Sequence, residues 1–143
     1  MAVSSSLVSI EGHMKIRTTK LDRIFSLYIR ERDGWRCRRC KTPYAPPTSS
    51  LQCAHIFGRR SRGTRWLPAN AIALCAGCHI HFTGQPLQFY DWLKSEIGEI
   101  ALDKLRFQST RPTKFTHSDE DMMYAELVRM HKEAAQNNLR RFL

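Results

Sequence analysis

From Thr19 onward the apolar residues Leu21, Ile24, Phe25 and Tyr28 recur three and four positions apart, which puts them on one face of a helix. Thr19 and Asp22 have the spacing of a capping box, and Gly34 is placed to stop the helix, so a helix is predicted over 19–33. The periodicity then changes. Short β-like stretches run from near Leu51 to Ile56 and from Ala71 to Leu74. Between them, Phe57 to Asn70 carries Gly58, Gly63 and Pro68 among four arginines, a loop composition. After Gly84, Pro86 stands where a first-turn proline belongs, and Leu87, Tyr90, Leu93 and Ile97 follow at helical spacing until Gly98. A short helix around Ile100 to Phe107 and a polar linker from Gln108 to His117 come next. A last amphipathic helix follows, with Met123, Leu127, Met130 and Ala134 as its buried stripe. The pattern predicts an α+β chain: a small β-containing centre over 35–83, one helix before it, and C-terminal helices over 86–143 packed around it.

Composition narrows the class. With 143 residues, 42% hydrophobic and 25% charged, the chain is expected to form one globular domain, over 14–143. The first 13 residues hold no Lys or Arg and no periodic pattern, and read as a leader outside the fold. No apolar run approaches the roughly 20 residues of a membrane helix, so no membrane partner is expected. No basic segment precedes an apolar one in the manner of a secretory signal, and a reducing, cytoplasmic setting is expected. The 23 Lys and Arg against 13 acidic residues give a formal charge of +10, which makes a polyanion the first partner to consider.

Four of the five cysteines form two pairs, Cys37-x2-Cys40 and Cys75-x2-Cys78, separated by 34 residues. Two chelating turns supply four thiolates, a set that satisfies tetrahedral zinc and leaves no position open for water, so the ion is expected to be structural. The alternatives are two disulfides or four buried thiols. Cys53 is left over and reads as a buried free thiol. Between the cysteine pairs stand His55 and Asn70, and His79 follows Cys78 directly, with eight residues between Asn70 and His79. Read alone, His55 could be a core histidine, and His79 could replace a cysteine on the zinc.

The ordered set of Cys pair, His55, Asn70, and Cys pair followed at once by His79 closely resembles the HNH endonuclease family, in the subgroup whose zinc-binding pairs bracket the motif. The likeness covers about Cys37 to Thr83. The flanks Leu21 to Trp35 and Thr64 to Thr83 look like small HNH proteins encoded by bacteriophages. The resemblance implies a ββα-metal (His-Me finger) core. His55 would be the general base, on a hairpin packed against the helix that starts with His79, and His79 would hold a catalytic divalent ion such as Mg2+ or Mn2+. The two imidazoles would then flank one phosphate. Asn70 would fix the loop or orient His55. Many family members carry Asp or His just before the base as a second metal ligand; here that position is Ala54, and His81, Cys53 or water are the candidates to replace it.

Arg59, Arg60, Arg62 and Arg65 follow His55 within ten residues, and Arg36, Arg38, Arg39 and Lys41 decorate the first cysteine pair. Guanidinium groups stay charged and bind phosphate oxygens bidentately, so the first four are the candidate DNA contacts. Trp66 could stack on a base, though a large aromatic more often anchors a loop. The expected function is metal-dependent cleavage of duplex or branched DNA. Phage packaging or recombination proteins are the implied partners, and the cytoplasm of a host cell the implied setting. The rival is a non-catalytic zinc-ribbon module that binds nucleic acid. A ribonuclease uses similar residues.

Overall fold

A computed structural model of the chain describes residues 15–141; the leader expected over 1–13 lies outside the described residues. The described residues form six α-helices and a two-stranded antiparallel sheet. Helix α1 (Lys20–Arg32) begins at Thr19, whose side chain accepts from the Asp22 amide while the Asp22 carboxylate accepts from the Thr19 amide, so the capping box predicted from spacing is present. Its buried face, Leu21, Phe25, Tyr28 and Ile29, covers one side of the hairpin. Gly34 and Trp35 both have positive φ, 69° and 54°, and this left-handed pair turns the chain sharply out of α1. The Trp35 amide closes the turn on the Arg30 carbonyl at 2.9 Å.

Strands β1 (Leu51–His55) and β2 (Ala71–Cys75) pair from Leu51↔Cys75 to His55↔Ala71. Every residue of β2 is buried, because helices cover both faces of the hairpin. On one face lies a cluster of Leu21, Phe25, Tyr28, Ile29, Trp66, Ala71 and Leu127, with Cys53 packed against it. Ala54, Ile72 and Leu74 belong to a second cluster with Phe82, Leu93 and Leu102. Strand alternation thus sends Cys53 and Ala54 to different faces.

The Phe57–Asn70 connection is more ordered than its composition predicts. It holds a one-turn helix α2 (Arg62–Arg65) and a 3-10 turn (Pro68–Asn70). The cause is tertiary: Arg65 and Trp66 are both hydrogen-bonded to Asp22 of α1. Gly63 lies so close to Gln108 and Thr113 that a Cβ there would sit 2.9 Å from the Gln108 carbonyl oxygen and from Thr113 Oγ1. Helix α3 (Ala76–Gly84) leaves β2 directly, and α4 (Pro86–Ile97) and α5 (Glu99–Ser109) pack beyond it. Within α4, Leu93 is buried as expected, but Leu87 is 82% exposed, and Phe89 and Trp92 pack against Phe82 in its place. Helix α6 (His117–Arg141) lies along α1, with Leu127 buried and Met123, Met130 and Ala134 partly buried, the stripe read from its spacing. No described helix is long and apolar enough to cross a membrane.

Candidate metal centre and basic groove

The two cysteine pairs meet. One ligand atom from each of Cys37, Cys40, Cys75 and Cys78 lies within 4.8 Å of all the others, and the Cys40 and Cys75 sulfurs are 3.8 Å apart. A tetrahedron of thiolates around zinc, with bonds of about 2.3 Å, has edges of roughly 3.8 Å. All five cysteines are free, which removes the disulfide alternative. The four sulfurs form the set without His79, so that histidine is not needed as a substitute ligand.

Local structure explains the convergence. Positive φ at Lys41 (66°) and the Cys37 amide bonded to the Thr42 carbonyl at 3.0 Å fold the first pair into a tight knuckle. Cys75 ends β2 and caps α3, its sulfur accepting from the Cys78 amide at 3.4 Å, where the helix N-terminus favours a thiolate. The Arg38 amide donates to the Ala73 carbonyl at 2.9 Å and the Ala73 amide to Asp33 Oδ2 at 2.8 Å, so the knuckle and the end of α1 are both laced to β2.

His55 ends β1, stacked on Phe25 with ring centroids 5.5 Å apart. Its Nε2 is 2.9 Å from the Arg65 carbonyl oxygen. A carbonyl can only accept, so Nε2 carries the proton and Nδ1 keeps its lone pair in the neutral ring. Burial holds the His55 pKa below its ordinary value, outweighing the Arg65 carbonyl bond, which acts the other way. The ring is therefore a neutral proton acceptor at pH 7.

Asn70 is fully buried. Its Oδ1 accepts from the Phe57 amide at 2.9 Å, and its Nδ2 donates to the carbonyls of Phe57 (2.8 Å) and Thr64 (3.0 Å). It pins both ends of the loop to each other and fixes the residue before Arg65, whose carbonyl holds His55. Of the two expected roles, loop fixation is the one its bonds serve.

His79 lies in the first turns of α3, half-buried, with Nδ1 2.8 Å from Gln52 Oε1. Gln52 and Ala54 alternate with Cys53 and His55 along β1, so His55 faces α1 while Gln52 meets α3. The two histidines thus have separate partners, and His79 does not line the groove that His55 lines. The single shared cleft expected from sequence is not formed: the two imidazoles lie on opposite faces of β1, His55 at its end and His79 against Gln52 near its start. His81 turns to Gln88 on α4 (3.1 Å), and burial pushes the Cys53 thiol up to about 12 despite Arg32 and Arg30 nearby, so it stays protonated against α1. Neither compensates for Ala54, which is 1% exposed and packed in the core.

The groove, about 630 Å3, runs between α1 and β1 and is lined by His55, Arg59, Arg23, Arg30, Ser26 and Ser49, with Gln52 at its side. Only one of the four predicted arginines belongs to it. Arg59 reaches in from the loop, steadied by Thr18 Oγ1 at 3.2 Å and the Ile16 carbonyl at 3.3 Å. Arg60 is exposed outside the lining, and Arg62 pairs with Glu120 of α6 at 3.3 Å. Arg65 corrects the expectation of a DNA contact: it is 6% exposed, with Nε and Nη2 on the Asp22 carboxylate at 2.9 and 2.6 Å. Trp66 donates to the same carboxylate at 2.9 Å, so it anchors the loop. The groove's other cations, Arg23 and Arg30, come from α1, where their seven-residue spacing with Ser26 between them marks a polar stripe that the sequence reading passed over. Arg30 is fixed by the Ser26 and Thr48 carbonyls at 3.2 and 3.0 Å.

Asp22 is the hub that sequence presented only as a cap. Burial pushes its carboxyl up, but the bonds from Arg65, the Thr19 amide and Trp66 outweigh that and hold it at about 2 instead of 3.8. A carboxyl depressed on folding contributes stability above its ordinary value, and that contribution is lost as pH falls through the folded one. About 2 kcal/mol should therefore disappear between roughly pH 4 and pH 2. At neutral pH Asp22→Ala removes that contribution and strands the buried Arg65, a loss of about 3–5 kcal/mol read as a lower urea midpoint. Unchanged stability in this variant would show that the hub is not what orders the loop.

No family model matches the chain, and comparisons with curated proteins and with solved structures likewise give no match.

Proposed function

We propose that the protein is a metal-dependent HNH-type endonuclease that hydrolyses DNA phosphodiester bonds. The observation that carries this reading is a neutral, carbonyl-locked His55 lining a groove with Arg23, Arg30 and Arg59, of which Arg30 and Arg59 are held in place by hydrogen bonds. The order of elements agrees with it: strand ending in His55, loop pinned by Asn70, strand, then a helix carrying His79, with a four-cysteine clasp compatible with structural zinc at the base.

In this reading, Arg59 and Arg23 hold non-bridging phosphate oxygens, which lowers the repulsion an incoming nucleophile meets. A water attacks phosphorus as His55 Nδ1 takes its proton, and the bond to the 3′ oxygen breaks, that oxygen taking a proton from solvent, which leaves 5′-phosphate and 3′-hydroxyl ends. A divalent ion offsets charge on the phosphate and on the departing oxygen in such a reaction, and His79, which would be its ligand, stands outside the groove that would hold the phosphate. The protein offers that ion little: one imidazole, kept neutral by burial. One imidazole with no carboxylate beside it is a poor set for Mg2+ or Mn2+.

The test is purified, folded protein on supercoiled plasmid with Mg2+ or Mn2+. Open-circular or linear product that EDTA suppresses is expected; intact plasmid under both metals overturns the proposal. Ala54 and the separation of His79 from the groove favour a second reading, a zinc module that binds DNA without cutting it. That reading gains if plasmid is bound and retarded but never nicked.

A further inference from the structure

Partly or fully buried arginines in this chain have carboxylate partners, with one exception. Arg32, Arg38, Arg59 and Arg65 each have a carboxylate oxygen of Asp22, Asp33 or Glu96 at 3.9 Å or less. Arg30 is also partly buried, and among the described residues it pairs with no carboxylate. Its Nε and Nη1 donate only to the neutral Ser26 and Thr48 carbonyls, and its guanidinium lies over the Trp35 ring, 5.0 Å from the centroid. Nη2 donates to nothing among the described residues, yet it is not enclosed, since no buried side-chain nitrogen there lacks a partner. A cation withdrawn from water without a counter-charge favours the arrival of an anion.

The walls beside it say which anion. Leu27, Arg30 and Ser49 line the His55 groove and also a second hollow of about 500 Å3, to which Trp35, Pro46 and Pro47 contribute. Past Arg30 the groove thus continues from basic walls into apolar ones. A duplex has little to place there, because its outside is phosphate and sugar and the faces of its bases are stacked within. The bases of an unpaired strand are free to turn into apolar pockets and onto guanidinium planes. We infer that this end of the groove binds an unpaired nucleotide of a DNA strand: Arg30 holds the phosphate through Nη2, and the Leu27–Pro46–Pro47 hollow receives the base. Trp35, itself buried, keeps the guanidinium flat and in place. The inference rests on the nuclease reading only in taking the polyanion to be DNA, and it needs no cleavage.

The experiment uses zinc-loaded, full-length protein without added Mg2+ or Mn2+, so that binding is read apart from cleavage. Fluorescence anisotropy compares single-stranded oligo-dT, a strand of abasic deoxyribose phosphates of the same length and charge, and a blunt duplex. Because binding one base face changes affinity by about 5- to 100-fold, the wild type should hold oligo-dT about tenfold or more tightly than the abasic strand. Arg30→Gln and Pro46→Glu should each bring that ratio below about twofold. Pro46 is exposed, so the second variant alters the hollow without touching the core and decides the matter if the first fails to fold. An abasic strand held as tightly as oligo-dT by the wild type, or a preference that survives in Pro46→Glu, overturns the inference and leaves the nuclease reading standing. Folded wild-type protein that binds none of the three probes overturns both.

Discussion

Replacing His55 with alanine should cut the single-turnover nicking rate by at least 100-fold while DNA affinity stays within about threefold of wild type. The rate expectation follows from what a positioned base contributes to a proton transfer, about 10²–10⁴-fold. The affinity expectation follows from charge, because the neutral His55 ring adds none, and the groove keeps Arg23, Arg30 and Arg59. The ring also packs on Phe25, so the substitution leaves a small cavity beside α1. Loss of cleavage together with binding and thermal stability would mean that His55 serves packing. A folded variant that still binds DNA and has lost only the rate would assign it to the chemistry.

Stripping the metal from the four-cysteine centre should have the largest effect on the fold. Structural zinc in small domains contributes about 10–16 kcal/mol, comparable to or above the roughly 5–15 kcal/mol net stability of a typical domain. The clasp here joins the segment after α1 to the junction of β2 and α3, so losing it releases the knuckle and frees both the strand that pairs with His55's and the helix of His79. Loss of cooperative thermal unfolding is expected on chelation, with one zinc per chain released, and Cys75→Ser should reproduce it. A chelated protein that melts at its original temperature would show that the cysteines are not the clasp.

How much of this was legible in the sequence depended on the range of the interaction. The Thr19–Asp22 cap, the Pro86 helix start and the Met123–Ala134 stripe are local, and spacing disclosed them. The paired CxxC motifs were readable because chelation imposes short spacing within each pair, whatever distance separates the pairs. The arginine-rich loop misled because charge says nothing of the partner. Arg65 looks like Arg59 in sequence, yet Asp22, 43 residues away, draws it inside, while Arg59 remains at the groove. Gln52 was overlooked for the same reason: a polar residue in a strand acquires meaning only once α3 sets His79 against it. The facing of His55 toward α1 likewise depends on strand parity, which the motif of ordered residues does not specify.

The base assignment is tested most directly by measuring single-turnover nicking against pH for the wild type and for His55→Ala side by side, at saturating Mg2+. Since burial lowers the His55 pKa below 6.5, the neutral ring is present above that point and lost beneath it, so the wild-type rate should fall on acidification with an apparent pKa under 6.5. The slow residual reaction of the variant should lack that acid limb. The same acid limb in both proteins, or a wild-type rate that does not fall as His55 gains its proton, would contradict the account.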